Sequence, residues 1–131
     1  MTRTRISDLL SINPRFFRSV NLERDFGDSH ALDGYVATAE TSRYLYRIGR
    51  GLRPESGERA WRITGDFGSG KSSFALVLAN LVGRPSADLP KSIRPLRQEL
   101  GLGTRLPRLL PVLVTGAREP LSGAFNFPLI C

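Results

Sequence analysis

Cysteine is almost missing from these 131 residues: Cys131 stands alone at the end. One thiol cannot build a disulfide framework or a thiolate metal site, which fits a reducing compartment. Histidine is as scarce, and His30 has no cysteine or second histidine near it, which argues against a metal site. Lysine occurs only as Lys71 and Lys91, and every other basic residue is arginine. No apolar run approaches the roughly 20 residues that cross a bilayer. Residues 1–5 are basic, like the first part of an export signal, but 6–14 lack the unbroken apolar stretch that export requires. The expected compartment is the cytoplasm, with no membrane partner. Long basic runs of the kind that mark a nucleic-acid tail are missing too.

What is present suits a folded domain. Hydrophobic residues make up 40% of the chain, enough for one packed core at this length. Basic residues outnumber acidic ones 19 to 12, for a net charge of +7. Arginine's planar fork matches phosphate and carboxylate, so an anionic partner is one expectation, and DNA is the weakly supported example. An arginine-rich codon usage is the plain alternative.

Along the chain, Ser7-Asp8-Leu9-Leu10 can begin a short helix that Asn13-Pro14 would stop. Phe16, Phe17, Val20 and Phe26 read as anchors for an arm. Asp33-Gly34 signals a turn, followed by a short extended piece over 35–38. Thr38 or Thr41 then caps a helix with Glu40 near its positive end. Tyr44, Leu45 and Ile48 form its apolar stripe, Arg43, Arg47 and Arg50 face elsewhere, and Gly49 and Gly51 end it. After an exposed loop over 53–57, residues 60–64 read as a short strand with Trp61 and Ile63 on one face. Residues 72–82 are apolar on nearly every side, which predicts a buried helix. Gly83 and Pro85 stop it, and 84–92 is loop. A weak helix is predicted over 93–100, with Pro95 in its first turn. Residues 109–115 read as a second buried strand, with Pro111 near its beginning and a loop over 116–120 after it. Helix, strand, glycine-rich turn, helix, weak helix, strand is the opening order of a parallel α/β sheet with a crossover helix.

The stretch between the first strand and the buried helix is Gly65-Asp66-Phe67-Gly68-Ser69-Gly70-Lys71-Ser72, followed by Ser73. A chain of phosphates needs many donors at short range, and side chains are too bulky to supply them all. The backbone must wrap around the ligand, so glycine is needed wherever φ is positive or the approach is close. Gly65 would leave the strand sharply, Gly68 relieve the bend, and Gly70 pass beside the phosphate. Loop and first-turn N–H groups, aided by the helix dipole, would face inward. Lys71 would meet the β- and γ-phosphates. The Ser72 hydroxyl is a hard oxygen ligand for Mg²⁺, and Ser73 offers its N–H to the α-phosphate. The alternative is a glycine-rich turn that fits the pattern by chance.

This run resembles the Walker A element of the AAA-type and related P-loop ATPases. It is similar in particular to the large bacterial ATPases of phage-defence and DNA-restriction systems. The resemblance is specific over 60–82 and suggestive over 33–59. It implies ATP and Mg²⁺ as cofactors, and either partner proteins or a homo-oligomer. The expected fold class is α/β, the start of a parallel-sheet P-loop NTPase fold. That means an incomplete three-layer α/β/α arrangement preceded by a helical or irregular N-terminal arm. The expected division is 1–51 for arm and linker helix and 52–131 for a partial NTPase domain. By analogy, Tyr35 and Val36 would touch the adenine, against the alternative of ordinary core packing.

Hydrolysis needs a further acid at the end of an apolar strand, and no apolar run here ends in one. Glu119 lies past the 109–115 segment and Arg118 beside it; a solvated loop is the plainer reading for both. Leu121-Ser-Gly123 falls short of the transporter-ATPase signature, and the guanine-reading Asn-Lys-x-Asp is not found. The family runs to several hundred residues, so a truncated or frame-shifted piece is expected. Three functions compete: an ATPase module of a larger DNA-associated or defence machine, a scaffold that binds ATP without turnover, and a small-molecule kinase. The long region before the loop weakens the kinase reading.

Overall fold

The computed structural model describes Arg5, Leu10, Ser11, residues 18–101 and residues 109–114. Three α-helices organise them: α1 (Leu22–Phe26), α2 (Ala39–Gly51) and α3 (Lys71–Gly83). A 3-10 turn (Ser86–Asp88) and a 3-10 helix (Arg94–Leu100) follow. α1 and the 3-10 helix pack on α3, and α2 packs chiefly on the 3-10 helix.

α1 and α2 begin at local caps, and α3 is held by burial. The Asn21 side chain caps α1 by accepting from the Arg24 N–H at 2.9 Å, a start signal the sequence reading passed over. At α2, Thr38 is the cap. Its hydroxyl accepts from the Thr41 N–H at 3.2 Å, and the Thr41 hydroxyl accepts from the Thr38 N–H at 3.3 Å. That reciprocal pair satisfies donors that a helix start would otherwise leave open. α2 buries Thr41, Leu45, Ile48, Gly49 and Gly51. Gly49 and Gly51, expected to end the helix, lie inside it, with Leu52 as its C-cap, and what they supply is space. A Cβ on Gly49 would lie 1.8 Å from the Leu100 carbonyl oxygen, and one on Gly51 would lie 2.1 Å from the Trp61 ring. α3 buries Phe74, Leu76, Val77, Ala79, Asn80, Leu81 and Val82, so nearly its whole circumference is covered.

The core joins Leu32, Leu45 and Ile48 to Phe74, Leu76, Val77, Leu81, Leu89, Ile93, Leu96 and Leu100. Full burial of each large aliphatic side chain contributes about 1.5–3 kcal/mol. Polar ties reinforce the packing. The Ser92 hydroxyl donates to the Leu32 carbonyl at 2.8 Å, and the Arg84 guanidinium donates to the Phe26 carbonyl while lying 5.0 Å from the Phe26 ring centre.

The expected α/β class is overturned. The described residues contain no strand and no sheet, so they do not form the start of a three-layer α/β/α fold. Residues 60–64 form no regular element, and their backbone pairs with no described neighbour. In the second expected strand the Leu109 N–H donates at 3.2 Å to the Val82 carbonyl, near the end of a helix rather than on a strand, and Pro111 sits against Gly83. A β-run becomes a strand only when a ladder partner lies beside it, and here helices cover the apolar face of α3 instead. The weak helix forms as 3-10 over Arg94–Leu100, with Pro95 in its first turn. The expected early helix (Ser7-Asp8-Leu9, Asn13-Pro14), the anchors Phe16 and Phe17, Thr115 and the loop over 116–120 lie outside the described residues.

Candidate functional site

The glycine-rich run connects the 60–64 segment to α3. Gly68 has φ +80° and Gly70 φ +82°, the left-handed region that glycine alone enters at no steric cost. Neither site is crowded, so conformation alone requires glycine there. The Ser69 N–H donates to the Asp66 carbonyl at 3.2 Å and closes the turn. Gly70 stands at the N-cap of α3 and brings no side-chain cap, while its carbonyl accepts from the Phe74 N–H at 2.9 Å. The N–H groups of Lys71, Ser72 and Ser73 therefore donate to no acceptor among the described residues. These are the orphan donors of a helix start, carrying the positive end of the dipole.

Lys71 curls back into the loop. Its ammonium donates to the Gly65 carbonyl at 2.8 Å, to the Asp66 carbonyl at 2.6 Å and to the Ser69 hydroxyl at 3.3 Å. The charge thus sits in the mouth of the turn, on neutral acceptors that a phosphate oxygen would outbid. The Ser72 side chain is exposed and Ser73 is half-buried. Phe67 is fully exposed at the loop tip and makes no packing contribution.

A cleft of ≈ 650 Å³ opens beside the loop. Gly65, Ser69, Gly70, Lys71 and Ser73 form one wall. The facing wall comes from the turn before α2 and its first turns, with Tyr35, Val36, Thr38, Glu40 and Tyr44. Ile63, Thr64 and Phe74 close the floor. Tyr44 meets Phe74 edge-on with ring centres 6.1 Å apart, which ties the α2 wall to the floor. Tyr35 is half-buried with its hydroxyl 3.4 Å from the Thr41 hydroxyl, whereas Val36 is 78% exposed. Of the sequence-predicted residues, Gly65, Ser69, Gly70, Lys71 and Ser73 line this cleft together with Tyr35 and Val36; Asp66, Phe67, Gly68 and Ser72 belong to the loop but are not part of its lining. Sequence reasoning missed Thr38, Glu40, Tyr44 and Phe74 as cleft residues. No local signal marks Thr38, Glu40 and Tyr44, because α2 reaches the loop only through tertiary packing, and Phe74 on α3 reads in sequence as core.

Other candidates fall elsewhere. His30 pairs with Asp33 at 2.8 Å, and that carboxylate raises the imidazole pKa. Arg118, Glu119 and Leu121-Ser-Gly123 lie outside the described residues. No helix among the described residues is long and apolar enough to cross a membrane. Comparison with protein-family models, with curated proteins and with solved structures finds no match to this chain.

Proposed function

We propose that residues 65–73 bind the phosphates of a nucleoside triphosphate, ATP with Mg²⁺, and that the adjoining cleft receives the rest of the nucleotide. One observation carries this reading: the Lys71 ammonium and the unpaired N–H groups of Lys71, Ser72 and Ser73 converge on one turn. Two left-handed glycines support it, since they leave the backbone bare on the side a phosphate would approach. Ser72 would supply a hydroxyl to Mg²⁺, a cation that favours oxygen donors and would offset the phosphate charge. The resemblance to Walker A loops of phage-defence and restriction ATPases agrees with a role inside a larger machine.

Binding without turnover is the second reading. Glu40 is the one carboxylate on the cleft lining among the described residues, and it is bound to Arg43 rather than free to orient water. Calorimetry with ATP–Mg²⁺ tests the shared premise: saturable binding is expected, and Lys71→Ala should weaken it by about a hundredfold, the loss of one charge-assisted contact. Failure of the unaltered protein to bind would end both readings. Phosphate release abolished by Lys71→Ala would favour the ATPase, and binding with no release would favour the scaffold.

A further inference from the structure

Arg5 aside, the described arginines divide into three groups. Arg18, Arg24 and Arg43 are held by carboxylates. Arg53, Arg59, Arg84, Arg94 and Arg97 donate to backbone carbonyls. Arg47, Arg50 and Arg62 have no hydrogen bond or ion pair with any described residue. These three share one side of the molecule. Arg47 and Arg50 stand on the outer face of α2, about 4.5 Å apart along its axis. They line a hollow of ≈ 610 Å³, and Arg47 also borders a smaller one of ≈ 180 Å³ whose other wall carries Arg62.

We infer that this face binds a single strand of nucleic acid, with Arg47, Arg50 and Arg62 on its phosphates and Tyr46 under a base. Three charges that have found no partner within the fold are left for an anion outside it. Arg43 and Arg53 border the larger hollow as well, against the carboxylates of Glu55 and Glu58, so arginine outnumbers acid there by two. Tyr46 lies among these arginines with 52% of its surface exposed. Forked cations with a bare aromatic ring between them match a strand that presents phosphates and unstacked bases in alternation. A duplex hides its base faces, and an acidic protein segment has none. The inference does not depend on the nucleotide reading.

Fluorescence anisotropy of a labelled oligothymidine with the full chain tests this. Replacing Arg47, Arg50 and Arg62 together by alanine should weaken binding at least about tenfold and flatten the log–log salt dependence by about 2. Tyr46→Ala should weaken it with no change of salt slope. Arg59→Ala removes the same charge from a guanidinium held by the Pro54 and Ser56 carbonyls, and should cost less than about twofold. Should the triple alanine variant lose its helical circular dichroism, the triple lysine variant replaces it, keeping the salt slope while losing affinity. Lys71→Ala should leave the oligothymidine affinity unchanged, which separates this site from the loop. The inference is overturned if the unaltered protein shows no saturable binding at low salt. It is equally overturned if Arg59→Ala costs as much as Arg47→Ala, if Lys71→Ala abolishes binding, or if polyglutamate competes as well as the oligonucleotide.

Discussion

α2 and α3 have the same length, 13 residues, and are stabilised in opposite ways. α2 is defined locally: a reciprocal threonine cap begins it, one face is apolar, and its outer face carries charge. α3 has no side-chain cap and little polar surface beyond its first turn; it is a helix because neighbours cover it on nearly every side. The difference has a functional side. A helix that caps itself uses part of its free donors, here the Thr41 N–H, whereas α3 keeps the Lys71, Ser72 and Ser73 N–H groups open for a ligand. The chain places the uncapped start at the glycine-rich loop and the capped one across the cleft from it.

Truncation in α3 should break the fold most. Leu76 is fully buried, so Leu76→Ala should cost about 3 kcal/mol, read as a lower urea midpoint with little change of slope. A loss near 0.5 kcal/mol would mean that the covering of α3 is looser than its burial implies.

Next comes the flank that α1 provides. Asp25 is buried, accepts from the Arg18 and Arg24 guanidiniums and from the Asn21 N–H, and has its pKa lowered to about 2, first of all by the Arg24 hydrogen bond. A depressed carboxylate pKa stabilises the fold above the ordinary value of 3.8 and ceases to do so as pH falls towards 2. Thermal stability should therefore decline between about pH 4 and pH 2, and Asp25→Asn should lower it by about 2 kcal/mol at neutral pH and remove much of that decline. An unchanged acid limb in the variant would assign the decline to other carboxylates.

Exchanging the two helix starts gives the smallest effect and the sharpest contrast. Thr38→Ala should cost about 1 kcal/mol without lowering ATP–Mg²⁺ affinity by more than a few fold. Gly70→Ser adds a residue that caps well elsewhere, yet φ is +82° there, so it should destabilise by about 1 kcal/mol and reduce ATP binding as well. If Gly70→Ser were stabilising and harmless to binding, the open start of α3 would have no functional meaning.

Sequence reading reached α2, α3 and the loop. Thr38 was one of two proposed caps, and the all-round apolar run over 72–82 became α3 with one residue added at each end. Of the three loop glycines, Gly68 and Gly70 take the left-handed conformation that only glycine adopts freely, and Gly65, expected to leave a strand sharply, does not. What failed was pairing. Trp61 and Ile63 alternate as a strand should, but alternation states only which face is apolar and says nothing of what lies beside the backbone. Trp61 instead covers Gly51, and Ile63 borders the cleft. α1 went unseen because five residues are too short for a periodic signal, although its Asn21 cap was visible.

The sequence by itself determined the loop chemistry, the capped start of α2 and the burial of α3, because glycine freedom, side-chain caps and apolar periodicity act within a few residues. Only the tertiary structure decided that the 60–64 segment stays unpaired among the described residues, that Glu40 and Tyr44 line the cleft beside the loop, and that Arg47, Arg50 and Arg62 have no partner among those residues. Those outcomes depend on which distant backbones and side chains come within hydrogen-bond reach, and no short-range pattern encodes that distance.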